Sequence, residues 1–420
     1  MKATEVFTPG KFPKWTFVSD HLEEKGQQLQ DVLESGSMLI SISGPSKSGK
    51  TVFVEQILGK RSLIQVTGAG VRKSEDIWIR VFDIIGTPLS SSKTTGTSSS
   101  STIGGKVAGE AGIPLLAKGA GEVSVGTTRN SHSSESESYS TDYLQLLISE
   151  VGNTDFIIFI DDFHYIPRDV QGEIAKQIKE AMRKGCKFIC ASVPYHSDDV
   201  IRSNPDLRGR IFSIDFDYWG EDVLKKIAYK GFEKLNISES TVMVERLASE
   251  AAGSPQLMQY LCLNSCFELN VRETSAQPFI FHDDQSILEK ICKRTVLSTN
   301  YSSVTDKMLE GPKTRGSDRK VYISKEGWQG DVYKFIVKAL SLSPPQLTFR
   351  YQDLLDRISS LCVGHCPSGS SITGACLHSS NIVNGAAGDN IVEWDEDNDV
   401  FDIRDPYFLF YLRWTAIVSD

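Results

Sequence analysis

Residues 40–51 read ISISGPSKSGKT, a short apolar strand that runs into a glycine-rich turn ending in lysine and threonine. The turn has the spacing GxxxxGK[ST] of a phosphate-binding loop. Glycines let such a loop wrap closely around a phosphate, with several backbone N–H groups pointing inward. The pattern predicts that the turn and the residue after it cradle the phosphates of a nucleotide. The residues concerned are Gly44, Pro45, Ser46, Lys47, Ser48, Gly49, Lys50, Thr51 and Val52.

The last two residues of the turn have separate roles in this pattern. Lys50 can place its ammonium group on the β- and γ-phosphates of ATP, and Thr51 can offer its hydroxyl to Mg²⁺. The segment KTVFVEQIL that follows predicts a helix, whose positive dipole end would face the anion. The bland alternative is an ordinary glycine-rich turn between a strand and a helix. The strand at residues 37–43 and the immediate helix favour the phosphate loop.

A second apolar run ends in two acids. FIIFIDD, residues 156–162, is typical of a strand buried in a parallel sheet. A Walker B strand has this pattern: its last aspartate reaches Mg²⁺ and the next acid orients the attacking water. We therefore assign Asp161 to the metal and Asp162 to the water. The alternative for Asp162 is that it caps the following loop.

Three further segments predict strands: RSLIQVTG at residues 61–68, KFICASV at 187–193 and IFSIDF at 211–216. An amphipathic helix, with Val170, Ile174, Ile178 and Met182 at helical spacing, precedes the second of these. Strands that alternate with helices predict a doubly wound α/β fold around a five-stranded parallel sheet.

A strand between the phosphate loop and the acidic strand resembles the P-loop ATPase division that includes AAA+ and STAND proteins, among them archaeal-ATPase-like and origin-initiator-like members. The resemblance covers about residues 12–270. It implies that Ser192, at the end of KFICASV, senses the γ-phosphate. It also implies that Arg210, or Arg208, is an arginine finger aimed at ATP on a neighbouring subunit. The alternative for either arginine is a surface salt bridge.

The segment after the sheet reads as a helical lid interrupted at Gly253-Ser254-Pro255-Gln256. This turn resembles the glycine–x–proline turn of STAND ATPases, which implies that Pro255 approaches the nucleotide; the sensor arginine of AAA+ initiators is absent. The resemblance also makes Phe17 and Val18 candidates for flanking adenine. Ser19 and Asp20 follow them, where these families have an arginine.

Composition changes divide the chain into three predicted domains. The ATPase core spans residues 1–217, the lid 218–310, and a C-terminal domain 311–420. A Ser/Gly/Thr-rich insert at 90–141 interrupts the core and predicts a loop; a hairpin that orders on assembly is the alternative. The turn-rich connector GPKTRGSDRK, with Lys313 and Lys320 among its basic residues, marks the second boundary.

The C-terminal domain reads as three helices and a hairpin, which resembles a winged helix. Winged helices often bind DNA, but no Lys or Arg lies between Arg357 and Arg404, and the predicted wing tip is acidic. Since DNA affinity depends largely on Lys and Arg at phosphates, contact with protein or with the ATPase core is favoured.

Bulk composition excludes other classes. The formal charge of −9 gives no global attraction to nucleic acid or anionic membrane. No apolar run reaches a membrane span, and residues 1–15 lack the apolar core of a signal peptide, so we expect a cytoplasmic protein. Cys362, Cys366 and Cys376 near His365 and His378 suggest zinc, but there is no CxxC pair, and reduced core thiols are favoured.

These patterns predict an ATP-dependent molecular switch that hydrolyses slowly, self-associates on binding ATP and signals to a protein partner. The STAND resemblance implies a bacterial or archaeal stress or antiviral role. A DNA-acting AAA+ initiator or transposition-type loader is the alternative, with the connector near Lys313–Lys320 as a DNA grip. A scaffold that binds ATP without turnover is a third possibility.

Overall fold

The computed structural model describes residues 1–36, 38–59, 62–89, 142–193, 207, 209–313, 319–384 and 391–415. The insert at 90–141 and Arg208 lie outside these residues. The chain forms two compact units. One comprises Lys25–Ser43 and Phe53–Asp215; the other comprises Met1–Glu24, Gly44–Val52 and Phe216–Asp420. The three-domain division stays a prediction.

The first unit is built on a five-stranded parallel sheet with the strand order β2-β3-β4-β1-β5. The strands are β1 Leu39–Ser43, β2 Leu63–Thr67, β3 Ile157–Asp161, β4 Lys187–Ser192 and β5 Ile211–Asp215. The predicted α/β fold is confirmed. In the sheet, β4 lies between the acidic strand β3 and the strand β1 that leads to the phosphate loop.

Burial follows the position of each strand in the sheet. The three central strands are almost wholly buried, whereas the edge strands β2 and β5 each have two exposed positions. Helices flank the sheet, and its residues Ile158, Ile160 and Phe188 join Trp78 and Phe82 in one core. The helices are α2 Glu23–Ser35, α3 Lys50–Leu58, α4 Ser74–Ile85, α5 Tyr143–Val151 and α6 Arg168–Met182; α1, Ala3–Val6, belongs to the second unit.

The second unit contains the predicted helical lid. Its elements are α7 Glu221–Lys234, β6 Ile237–Glu239, α8 Thr241–Glu250, α9 Pro255–Glu268, β7 Phe279–Phe281 and α10 Gln285–Val296. The N-terminal segment completes this lid core, where Phe7 packs edge-on against Phe232. Each fully buried side chain of this size stabilises the core by about 1.5–3 kcal/mol.

The C-terminal part of the second unit has its own core. Its elements are α11 Ser302–Glu310, β8 Tyr322–Ile323, β9 Gln329–Gly330, α12 Val332–Leu340, β10 Thr348–Arg350, α13 Tyr351–Leu361, α14 Gly369–Asn384, β11 Val392–Asp395, β12 Val400–Ile403 and α15 Pro406–Trp414. The hairpin β11–β12 pairs with β10 to form a three-stranded antiparallel sheet, of which β10 was not predicted. Met308 of α11, which precedes the predicted boundary, packs in this core.

The helix α15 belongs to both cores of this unit. Tyr407, Phe410 and Tyr411 lie in the lid core, and Phe408, Leu409 and Leu412 lie in the C-terminal core. Its Arg413 forms a buried bidentate ion pair with Glu250 of α8, with N–O distances of 2.6 and 3.0 Å. The lid and the C-terminal domain are therefore joined through one helix. In the part of the chain that the structure describes, no helix has the length and apolar character needed to cross a membrane.

Candidate functional site

Polar side chains end every strand of the sheet. In spatial order from β2 to β5 they are Thr67, Asp161, Ser192, Ser43 and Asp215. Because all strands are parallel, these residues lie together at the carboxyl end of the sheet. Ser43 donates a short hydrogen bond to Asp215 there. Ligands of open α/β sheets bind outside the carboxyl ends of the strands. The predicted metal residue Asp161 and the predicted sensor Ser192 thus end adjacent strands on the edge from which the phosphate loop begins.

The phosphate loop, residues 44–51, has the backbone that its glycines predict. Gly49 (φ 97°) and also Lys47 (φ 63°) adopt left-handed conformations. A Cβ on Gly44 would overlap Phe216, whose carbonyl oxygen would lie only 2.9 Å from it. Among the described residues, the buried Ser48 Oγ has no hydrogen-bond partner. A close-wrapped backbone with an unsatisfied buried hydroxyl fits a loop that receives a polar ligand.

The two chemically important residues of the loop begin α3. Lys50 is the first residue of this helix, and its Nζ donates to the carbonyl oxygens of Gly44 and Pro45 at 2.7 and 2.8 Å. The ammonium group therefore lies over the start of the loop. Thr51 and Val52 follow in the first helical turn, where backbone N–H groups and the helix dipole favour an anion. Lys47, Pro45, Ser46 and Lys50 stay candidates for phosphate contact.

The acidic pair lies at a strained turn. Asp161 ends β3, and Asp162 has φ 56°, a left-handed conformation that is uncommon outside glycine. The Asp162 N–H donates to Asp161 Oδ1 at 3.0 Å. Strain of this kind clusters at functional sites and costs about 1–3 kcal/mol. The metal and water roles of the two carboxylates stay predictions.

Gly68 permits the acidic turn to pack closely, and we did not single it out from the sequence. A Cβ at this position would lie 2.5 Å from the carbonyl oxygen of Asp162 and 2.9 Å from Ile166 Cγ1. The Gly68 N–H donates to the carbonyl oxygen of Asp161 at 2.7 Å. Glycine directly after β2 was visible in the sequence, but only the turn that it faces explains it.

Trp219 is a second residue that the sequence did not reveal. Its indole N–H donates to the carbonyl oxygen of Ser48 in the phosphate loop at 2.9 Å, and its ring packs edge-on against His21. Its own backbone N–H donates to the carbonyl oxygen of Gly253 at 2.9 Å. Gly253 (φ 81°) begins the predicted GSP turn and would overlap Tyr218 with any side chain. One residue thus connects the phosphate loop, through its side chain, with the lid turn, through its backbone.

The other predicted nucleotide contacts lie within the lid. Pro255 is the buried first residue of α9, whose N-cap Ser254 accepts a hydrogen bond from the Leu257 N–H. Val18 is buried in the lid core, and half-buried Phe17 stacks on Phe12. The predicted contact of all three with a nucleotide stays a prediction.

Arg210 is exposed and immediately precedes β5. It therefore lies at the amino end of the sheet, whereas Ser43 lies at the carboxyl end. Five residues of strand separate the two ends by about 16 Å. The role of Arg210 as an arginine finger stays a prediction.

The C-terminal hairpin carries the acidic charge that the sequence predicts. Arg404, which directly follows β12, pairs with Glu393 at 2.8 Å and with Asp402 at 3.2 Å. At the turn, hydrogen bonds from Asn398 lower the pKa of Asp395. A groove lies along α14, and the last residues of the connector form part of its wall. Its lining includes Arg319, Lys320, Ser370, Ser371 and His378.

The cysteines behave as core thiols. Seven of the eight are buried and Cys366 is half-buried. Burial raises the pKa of the Cys190 thiol to about 12 and that of Cys186 to about 11. Across the described residues, no group of three or more His, Cys, Asp or Glu side chains is arranged to hold a metal ion.

No protein-family model and no curated protein matches the chain. Several solved structures match nearly its whole length. The ORC2 protein of Aeropyrum pernix, solved as ADPNP–ADP complexes, is 10% identical with a TM-score of 0.51, over 99% of this chain and 97% of that chain. Cdc6p of Pyrobaculum aerophilum is 13% identical (TM-score 0.45; 99% and 98% covered), as is a Walker-type ATPase of Pyrococcus abyssi (TM-score 0.47; 93% and 95%). Together with the strand order, the likeness to ORC2 shows that the chain has the α/β P-loop ATPase fold.

Proposed function

We propose that the chain is an ATP-binding, slowly hydrolysing molecular switch of the STAND or AAA+-like kind. The observation that carries this proposal is the contact of Trp219 with both the phosphate loop and the lid turn. A change at Ser48 on nucleotide binding would reach Gly253 through a single residue, whose indole contacts Ser48 and whose backbone N–H contacts Gly253. The nucleotide complexes of the ORC2 protein, which shares the fold, support ATP as the ligand.

The proposed chemistry is positioning and charge neutralisation. Lys50 would hold the β- and γ-phosphates, and Thr51 and Asp161 would hold Mg²⁺. Asp162 would orient the attacking water, and Ser192 would contact the γ-phosphate. Bound Mg²⁺ would supply the charge that balances the phosphates. The shared edge of β3, β4 and β1 supports this grouping, because Asp161, Ser192 and Ser43 end neighbouring strands there.

The C-terminal domain would be a winged helix that reports the nucleotide state to a protein partner. The element order α12, β10, α13, α14 and the hairpin β11–β12 supports this class. The acidic hairpin turn and the paired Arg404 favour a protein partner over DNA. From the STAND resemblance we also propose a role in bacterial or archaeal stress or antiviral signalling, and from the lack of a long apolar run in the sequence a cytoplasmic location.

Self-association on ATP binding is the third part of the proposal. Arg210 is exposed directly before β5, which leaves it accessible to a neighbouring copy, whose site it would complete. An arginine finger contributes about 10³–10⁵ to the hydrolysis rate in P-loop enzymes that use one. Slow turnover by single copies and faster turnover in the assembly would follow.

A DNA-acting initiator or loader is the second candidate, and the groove along α14 favours it. Lys320 and His378 face the groove beside the hydroxyls of Ser370 and Ser371, which are groups that contact DNA phosphates. Against it, Arg319 in the same groove is already paired with Asp331 at 2.6 Å. Replacement of Lys320 by Ala would weaken DNA binding and lower its salt dependence if this groove held DNA.

Binding and mass measurements test the proposal together. Titration calorimetry with Mg²⁺ and a slowly hydrolysed ATP analogue should show binding by the natural chain and none by Lys50→Ala. Light scattering on a sizing column should show a larger particle with the analogue than with ADP, and no accompanying nucleic-acid absorbance. Binding without phosphate release at any concentration would support the scaffold instead. Equal affinity of the natural chain and Lys50→Ala would refute the phosphate-loop assignment.

A further inference from the structure

The C-terminal domain places a carboxylate against the phosphate loop. Asp405, which directly precedes α15, lies 3.1 Å from Lys47 Nζ through Oδ2 and 3.4 Å through Oδ1. The same ammonium group lies 4.1 Å from the ring centroid of Tyr407. Lys47 is the fourth residue of GPSKSGKT and has the left-handed backbone described above. A lysine of the loop thus lies between a carboxylate and an aromatic ring of the C-terminal domain, which is distant from the loop in sequence.

Asp405 is fixed in this position by other contacts. One carboxylate oxygen caps α15 by accepting the Tyr407 N–H at 3.0 Å, and the other accepts a hydrogen bond from the hydroxyl of Tyr301. Its side chain is 17% exposed, and that of Lys47 is 31% exposed. Because the cap and Tyr301 already order the carboxylate, little further ordering is needed to hold Lys47.

A phosphate loop binds the negatively charged phosphates of its ligand. Asp405 already places one negative charge beside Lys47 of this loop. Lys47 cannot pair fully with both anions, and a carboxylate beside the phosphates would repel them. Resting on the proposed nucleotide site, we propose that Asp405 competes with the nucleotide phosphates for Lys47. Nucleotide binding would break the Lys47–Asp405 pair and loosen the start of α15.

The position of α15 makes this competition consequential. The residue before Asp405 also has a contact outside the C-terminal domain. The Tyr218 hydroxyl donates to the carbonyl oxygen of Arg404 at 3.0 Å. Tyr218 adjoins Trp219, which contacts Ser48. The phosphate loop, the two residues Tyr218 and Trp219 before the lid, and the C-terminal domain therefore meet at the first turn of α15. Loss of the pair releases one of the contacts that hold this junction.

The substitution Asp405→Asn isolates the charge. Asparagine caps helices as well as aspartate does, so the fold of α15 is kept while the anion is removed. We expect Asp405→Asn to bind a slowly hydrolysed ATP analogue about fivefold more tightly, as a partly exposed pair worth close to 1 kcal/mol implies. In a Lys47→Met background the same change should have a smaller effect on affinity, because only the repulsion between the carboxylate and the phosphates is left to remove. Tyr301→Phe should tighten binding about twofold and serves if Asp405→Asn folds poorly.

Asp331→Asn is the matched control. Asp331 also caps a helix of the C-terminal domain, α12, and pairs with an arginine, but it contacts Arg319 rather than the phosphate loop. Its substitution should leave nucleotide affinity unchanged. Amide hydrogen exchange over residues 405–414 gives a readout independent of affinity. The analogue should speed exchange there in the natural chain and have no such effect in Asp405→Asn.

The outcomes separate the two proposals. Absence of nucleotide binding by the natural chain would refute the proposed function and this inference with it. Normal binding by the natural chain, with unchanged or weaker binding by both Asp405→Asn and Tyr301→Phe, would refute the competition alone. Exchange over residues 405–414 that does not respond to the analogue in the natural chain would also refute it.

Discussion

The buried ion pair between Glu250 and Arg413 should dominate the attachment of α15 to the lid. The two side chains are 9% and 6% exposed, and they form two charge-assisted hydrogen bonds. Arg413 also donates to the carbonyl oxygens of Ser341 and Leu342 at 2.9 Å, and the Trp414 indole donates to Glu250 at 2.7 Å. Removal of one partner from such a pair leaves the other charge buried and costs about 3–5 kcal/mol.

Glu250→Gln tests this magnitude with almost no change of volume. Amide hydrogen exchange over α15 reports the free energy of opening this helix. A loss of 3 kcal/mol corresponds to about a hundredfold loss of protection. The double substitution Glu250→Leu with Arg413→Met removes both charges, and it should restore part of the protection, because no charge remains unpaired although the bonds to Ser341, Leu342 and Trp414 are lost.

The pair Glu268–Arg294 provides the control. It joins α9 to α10 at 2.9 Å, but its arginine is 42% exposed, so solvent screens it. Glu268→Gln should lower the local stability by less than about 1 kcal/mol. A change of less than threefold in α15 protection in Glu250→Gln, or a double variant as unprotected as the single one, would refute the reasoning.

Three further predictions concern the sheet unit and the thiols. Gly68→Ala should destabilise the chain by about 1–3 kcal/mol in denaturant unfolding, because its Cβ would meet the Asp162 carbonyl at 2.5 Å; Gly10→Ala, with open space around it, should have little effect. Arg210→Ala and Asp162→Asn should each hydrolyse ATP about a hundredfold more slowly. A mixture of the two variants should recover phosphate release, because an arginine finger acts on the site of a neighbouring copy. A mixture as slow as either variant alone would exclude the finger. Alkylation of the native chain should modify Cys366 first, as peptide mass mapping can check, and equal reaction of Cys190, whose pKa burial raises to about 12, would contradict the packing.

The sheet and both Walker motifs could be predicted because their information is local. The spacing of Gly44, Gly49 and Lys50 specifies a backbone shape, and FIIFIDD combines a buried strand with its terminal acids. Alternation of such strands with helices restricts the topology to few solutions. The doubly wound fold therefore followed from short segments read one at a time.

Contacts between distant segments could not be predicted in this way. Trp219 lies 171 residues from Ser48, and Asp405 lies 358 residues from Lys47. No pattern along the chain indicates which tryptophan or which aspartate will reach the loop. The strand β10 escaped for another reason, because three residues are too few to show a period of two.

The two-sided packing of α15 constrains how this protein can vary. Within seven consecutive positions, residues 406–412, every side chain is buried, and six of the seven are divided equally between the two cores. A rotation of the helix that improved one core would misplace side chains in the other. The lid and the C-terminal domain should therefore change only in concert during evolution. A chimera that exchanges the C-terminal domain should fold only if the lid is transplanted with it.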